Sequence, residues 1–141
     1  MPWATAISAV KGGRLEMCHQ NSVRFHGNLA YDDDFNGIAV DPEEGRRMAA
    51  IYGDKLVMFL ANHGPVVVCE TVAEAFDHMY FLERASQVQV LAASMGKPLH
   101  IIPDDIIEMT KAHLGQFRIN SIRHFEALKR TLQRDGSDYE E

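Results

Sequence analysis

The chain has 141 residues, of which 46% are hydrophobic and 24% are charged, and its formal net charge is −6 at pH 7. This size and composition predict one folded domain. The acidic balance argues against nucleic acid as a partner. No apolar run approaches the roughly 18 residues of a membrane span, which argues against a membrane partner.

The N-terminal third is predicted to contain short elements. The alanine-rich residues 3–11 favour a helix that ends at Gly12 and Gly13. We expect a brief strand at 15–17, a helical turn at 21–25 and a short strand at 29–31.

The cellular location is predicted from the chain start and the cysteines. The first residues lack the basic region of a signal peptide. Cys18 and Cys69 lack metal-type spacing. We interpret them as free thiols of a cytoplasmic protein, with a disulfide as the open alternative.

Three consecutive aspartates, Asp32 to Asp34, precede a turn-type sequence that ends at Gly37. They could suggest a cation site, but the oxygen spacing of a calcium loop is missing. A solvated loop is therefore the favoured interpretation.

The central part of the chain is predicted in more detail. Asp41 is a suitable N-cap for a helix over 42–52, with Gly53 as its C-cap. Arg46 and Arg47 on this helix favour a solvated face over an anion site. Apolar strands are expected at 55–60 and 65–69.

A long helix is predicted from Val72 to about Met95. Thr71 and Glu74 form the pattern of a capping box, and apolar residues recur at three- and four-residue steps. His78 and Glu83 on this helix are interpreted as a partly exposed histidine and an ordinary surface acid.

The C-terminal part, 103–134, predicts a helix in one or two pieces, with Gly115 as its weak point. A helix packed on its own domain or on a neighbouring subunit is favoured over a membrane or calmodulin contact. We expect the domain to span 1–134 and the acidic tail, 135–141, to be disordered. A narrow apolar seam on the helix is formed by Leu114, Phe117, Phe125, Leu128 and Leu132.

The turn Asn62-His63-Gly64 is the strongest candidate for a functional site, because it joins two predicted strands just before the long helix. No two of the seven histidines have the spacing His-x-His or His-x3-His. Only His19 and His26 in loops could join His63. A complete metal site is therefore not expected from spacing alone.

Several motifs together resemble the class II aldolase/adducin family over about residues 2–110. The motifs are Pro2-Trp3-Ala4-Thr5-Ala6, Lys11-Gly12-Gly13, Gly27-Asn28-Leu29-Ala30-Tyr31-Asp32, Leu60-Ala61-Asn62-His63-Gly64, Thr71-Val72-Ala73-Glu74-Ala75-Phe76 and Tyr80 to Gln89. The resemblance implies an α/β fold, as part of a three-layer α/β/α sandwich with an antiparallel sheet. It also implies a homo-oligomer, usually a tetramer.

The resemblance further implies a zinc-type divalent metal site in which His63 is one of three histidine ligands. The other two, in a His-x-His, and the acid/base glutamate would fall before Met1. A neighbouring subunit's tyrosine is replaced here by His19-Gln20. We therefore assign no catalytic residue and expect that this chain alone does not bind zinc, since zinc sites need three or four protein ligands.

Two functions are compatible with the resemblance. The first is a domain derived from a metal-dependent carbon–carbon lyase of small hydroxy-carbonyl compounds, inactive as this isolated chain. The alternative is a non-catalytic oligomerisation and interaction module, as in adducin.

Overall fold

A computed structural model of the protein describes residues 1–38, 40–114 and 117–139. Within these residues no helix is long and apolar enough to cross a membrane. The elements are α1 (Pro2–Ser8), α2 (Gln20–Val23), β1 (Leu29–Asp32), α3 (Pro42–Tyr52), β2 (Val57–Leu60), β3 (Gly64–Val67), α4 (Val72–Ala93), α5 (Asp104–His113) and α6 (Phe117–Arg134).

The predicted α/β fold is confirmed, but the sheet is mixed rather than antiparallel. β2 lies in the centre, antiparallel to β3 and parallel to β1. A tight turn joins β2 to β3, which makes them antiparallel. β1 and β2 are joined by a longer connection that contains α3, and such a crossover returns the chain to the same end of the sheet.

Helices cover both faces of the sheet, as a three-layer arrangement requires. Side chains alternate along β2, so Val57 and Phe59 pack with α1 and α4, around Leu82. Met58 and Leu60 lie on the opposite face and contact α3. All four residues of β2 are buried, which places the core on both sides of the central strand.

The strand predicted at 15–17 is wrong, because these residues form neither a helix nor a strand. Side chains satisfy their backbone groups in place of a neighbouring strand. The amide of Leu15 donates to Tyr31 Oη at 3.1 Å, and the amide of Glu16 donates to Gln89 Oε1 at 2.7 Å.

The predicted helix starts agree with the structure. The Asp41 side chain accepts a hydrogen bond from the amide of Glu43 at 2.9 Å. Thr71 Oγ1 accepts one from the amide of Glu74 at 3.2 Å and so caps α4. Cys18 and Cys69 are both free thiols, as predicted.

The C-terminal region forms two helices, α5 and α6. Gly115, the predicted weak point, lies outside the described residues, as do Glu140 and Glu141 of the predicted tail. α6 packs on α4 of the same chain, where the rings of Phe76 and Phe125 meet edge to face at 5.6 Å.

Candidate functional site

The turn that carries His63 is anchored by three backbone hydrogen bonds. The amide of Ala61 donates to the carbonyl of Asp32 at 2.8 Å, and that of Asn62 donates to the carbonyl of Ser8 at 3.1 Å. The amide of His63 donates to the carbonyl of Leu60 at 3.1 Å, within the turn itself. The turn is therefore tied to β1 and α1, while the His63 side chain is exposed.

The residues on either side of His63 suit the backbone of the turn. Asn62 has a φ of 57°, in the left-handed region that asparagine tolerates better than most residues. Gly64 has a φ of 124°, and a Cβ there would lie 2.9 Å from Thr5 Oγ1. Two of the motifs that carry the family resemblance are thus in direct contact.

His63 lies at the edge of a hollow of about 340 Å³ between the end of the sheet, α3 and the loop after β1. Its charged lining consists of Arg47 and the carboxylates of Asp32, Asp34 and Glu44. Arg47 Nη2 lies 2.6 Å from both Asp32 Oδ2 and Glu44 Oε1. These bonds, first that with Glu44 and then that with Asp32, raise the pKa of Arg47.

Asp32 and Asp33 of the aspartate cluster, and both Arg46 and Arg47, form ion pairs, which the predictions of a solvated loop and a solvated helix face did not include. Asp32 is 4% exposed, so the solvated interpretation is wrong for this residue. Arg14 lies 2.6 Å from Asp33 Oδ2, and Arg46 pairs with Glu43 on the face of α3. The hydrogen bonds from Arg14 lower the pKa of Asp33.

The residues around His63 do not by themselves fit a divalent metal. No group of three or more histidine, cysteine, aspartate or glutamate side chains within 1–38, 40–114 and 117–139 could hold such an ion. The nearby carboxylates of Asp32 and Glu44 already bind the cationic Arg47.

The two loop histidines do not join His63. His19 Nδ1 accepts a hydrogen bond from the amide of Asn21 at 3.2 Å and caps α2. His26 Nδ1 lies 3.3 Å from Glu108 Oε1 of α5. Neither residue lines the hollow at His63.

The structure corrects the interpretation of Glu83 as an ordinary surface acid. Its carboxylate accepts hydrogen bonds from the amides of Trp3 and Ala4, at 3.1 and 2.9 Å. His78 is partly exposed, as predicted. Burial and the charge of Arg24 lower the pKa of His78 to about 4.

A buried polar network around Asp77 of α4 was not predicted. Asp77 is 2% exposed and pairs with Arg24. Its carboxylate also accepts from Ser121 Oγ at 2.8 Å and lies 2.7 Å from His124 Nδ1. Burial acts to raise the pKa of Asp77, but the bonds from His124 and Ser121 and the charge of Arg24 outweigh it and lower the pKa.

One sequence signal could have revealed this network. Asp77 precedes Phe81 by four residues and Ala85 by eight, so it lies on the apolar stripe of α4. A carboxylate on such a stripe needs a cationic or hydrogen-bonding partner.

The two motifs in contact at Thr5 and Gly64 lie within residues 1–90, which match the family model described as Class II Aldolase and Adducin N-terminal domain. The chain belongs to this family. The match contains β1, β2, β3, the His63 turn and most of α4.

Relatives in the family include proteins named as aldolases and proteins named as adducins. A protein from Caulobacter vibrioides named "Putative aldolase class 2 protein" is 44% identical over 92 residues, which are 65% of this chain and 35% of that protein. Alpha-adducin from Mus musculus is 38% identical over 103 residues, 72% of this chain and 14% of that protein. The chain thus spans little more than a third of the Caulobacter protein.

A solved structure agrees with the fold over the whole chain. It is the crystal structure of an aldolase II superfamily protein from Pseudomonas syringae, which is 35% identical. The two superpose with a TM-score of 0.88 over 100% of this chain and 57% of that one.

Proposed function

We propose that this chain supplies the His63 turn of a metal-dependent carbon–carbon lyase that acts on small hydroxy-carbonyl compounds. The observation that carries the proposal is the exposed His63 side chain on a turn with three backbone anchors. A metal ligand needs this combination of access and a fixed backbone. The aldolase names of the Caulobacter and Pseudomonas proteins support the lyase class.

We further propose that the 141 residues alone have no lyase activity. A catalytic zinc site needs about three protein ligands, and the described residues group no three side chains for this purpose. The family resemblance implies that the other two ligands belong to a His-x-His that precedes the motif Pro2-Trp3-Ala4-Thr5-Ala6.

The test compares this chain with a version extended by the upstream coding sequence, if that sequence encodes an in-frame His-x-His. We expect the extended chain to retain about one zinc ion per chain after dialysis. His63→Ala should remove the zinc, whereas His100→Ala, at another exposed histidine, should leave it in place. Zinc is measured by mass spectrometry, and lyase activity by the metal-dependent release of an aldehyde.

Two results would contradict these proposals. A metal-dependent retro-aldol rate from the purified 141-residue chain would show that it is active alone. Equal zinc content in the extended wild-type chain and its His63→Ala variant would exclude His63 as a ligand.

The second candidate function is the adducin-type interaction module, which the 38% identity to alpha-adducin supports. Both candidates include a homo-oligomer, which we propose for this chain. Exposed apolar side chains on α4 and α6, such as Phe76 and Leu132, offer a surface for a second copy. A metal-free oligomer of the extended chain, seen by light scattering, would favour the adducin type, and a monomer would contradict the oligomer.

A further inference from the structure

A second concave site, called here the His124 pocket, lies between α2, α4 and α6. Its volume is about 500 Å³, and none of its lining residues lines the hollow at His63. Its polar lining includes Gln20, Asn21, Asn120 and His124, and its apolar lining includes Tyr80, Phe81 and Leu114.

One ring nitrogen of His124 donates to a carboxylate. Nδ1 lies 2.7 Å from Asp77 Oδ1, and Asp77 is paired with the guanidinium of Arg24. An ionised carboxylate only accepts hydrogen bonds, so Nδ1 carries the proton. Tyr80 packs edge to face on the imidazole at 4.9 Å. These contacts define the plane of the ring and its tautomer.

The other ring nitrogen, Nε2, is therefore a hydrogen-bond acceptor. With the proton on Nδ1, a neutral imidazole carries a lone pair on Nε2. This atom has no hydrogen-bond partner among the residues that the structure describes, and it is not fully buried. The His124 side chain is 27% exposed and lines the pocket. A ligand that satisfies Nε2 has to supply a donor.

The charges of the lining favour a neutral ligand. Arg24 and Asp77 are the charged residues of the lining, and they are paired with each other, so they leave no net charge. Asp77 also accepts from Ser121 Oγ at 2.8 Å. An anion would face the lone pair of Nε2, and a charged ligand of either sign would lose hydration without an unpaired charge to balance it.

The apolar part of the lining fits an aromatic ring. Tyr80 and Phe81 meet edge to face at 5.4 Å, and Leu114 extends the apolar lining. Aromatic rings pack well against such side chains, edge to face or offset. The volume of about 500 Å³ lies within the usual range for small-molecule sites, roughly 300–1,000 Å³. One ring with a polar substituent can be accommodated.

We propose that the His124 pocket binds a neutral aromatic molecule that carries a hydroxyl group, of the phenol class. The hydroxyl donates a hydrogen bond to Nε2 of His124, and its oxygen can accept one from a side-chain amide of the lining. The ring of the ligand packs on Tyr80 and Phe81. This inference does not depend on the proposed lyase function.

The first experiment titrates the unmodified chain with phenol at about pH 8, where histidine is ordinarily neutral. Anisole, which has the same ring but no O–H, and the anion benzoate are the controls. Backbone amide signals are followed by NMR. We expect phenol to cause saturable shifts that cluster at the residues of the pocket. Anisole and benzoate should bind at least about fivefold more weakly, because neither supplies the donor.

Several results of this titration would overturn the proposal without the use of a variant. Phenol might cause no saturable shifts, or shifts that cluster at the hollow of His63 instead. An equal affinity for phenol and anisole would exclude the hydrogen bond. Benzoate binding as tight as that of phenol would exclude a preference for a neutral ligand.

The second experiment compares His124→Asn with His100→Asn, whose site is exposed and outside the pocket. Asparagine can still donate to Asp77 from a nitrogen near the position of Nδ1, but it has no atom at the position of Nε2. His124→Asn should therefore lose the preference for phenol over anisole, and His100→Asn should retain it. A preference that survives in His124→Asn would exclude Nε2 as the acceptor.

Discussion

The carboxylate of Glu83, in the middle of α4, accepts a hydrogen bond from the backbone amide of Ala4 at 2.9 Å. The adjacent amide of Trp3 donates to the same carboxylate at 3.1 Å. The first amides of a helix have no partner inside it, and Met1 at the N-cap supplies no side-chain cap. Glu83 therefore caps α1 from a distant part of the chain and also places a negative charge at its positive end.

We expect Glu83→Ala to destabilise the fold by about 1–2 kcal/mol, because two partly buried amides lose their acceptor. Glu83→Gln retains one acceptor oxygen and should cost less. Urea unfolding measures both effects. Arg84→Ala, at the exposed next position, is the matched control, and an equal midpoint for Glu83→Ala and Arg84→Ala would contradict the capping role.

Local signals explain which elements could be predicted. The helix start at Thr71 and the β2–β3 turn depend on residues close in sequence, so short sequence patterns were sufficient to predict both. The parallel pairing of β1 with β2 depends on where the connection through α3 returns the chain. No short pattern within β1 contains that information.

The candidate residues differ in the same way. His63 could be proposed from the sequence because the turn and its flanking motifs are contiguous. Asp77 and His124 are 47 residues apart, and Glu83 is 79 residues from Ala4. Their roles arise only when α4 packs against α6 and α1, which sequence spacing does not reveal.

The contact between Gly64 and Thr5 predicts a steric effect at the His63 turn. A Cβ at Gly64 would lie 2.9 Å from Thr5 Oγ1, and the φ of 124° is unfavourable for other residues. We expect Gly64→Ala to cost about 1–3 kcal/mol. In the double variant, Thr5→Ala should restore the part of the free energy of unfolding that the steric clash removes, but not the part that backbone strain removes. Urea unfolding of the single and double variants separates the two parts. Full recovery of the free energy of unfolding in the double variant would contradict a contribution from backbone strain.

The pKa of His78 predicts a loss of stability in mild acid. Burial and the charge of Arg24 lower this pKa from 6.5 to about 4 in the folded state. The unfolded chain therefore takes up the proton first, so stability is complete above pH 6.5 and falls as the pH decreases towards about 4. His78→Gln should reduce the slope of unfolding free energy against pH in this range. His100→Gln, at an exposed histidine, should leave it unchanged.

The Asp77 network predicts the largest effect of a single substitution. Asp77→Asn would leave the buried Arg24 without its carboxylate partner, at a cost of about 3 kcal/mol or more. Asp105→Asn, on the exposed side of α5, should change the free energy of unfolding little. The pKa of Asp77 is lowered below 3.8 by folding, so its contribution is present above pH 3.8 and is lost as the pH falls through the folded pKa. The difference between Asp77→Asn and wild type should therefore shrink in strong acid, and a constant difference would show that the carboxylate charge is not its source.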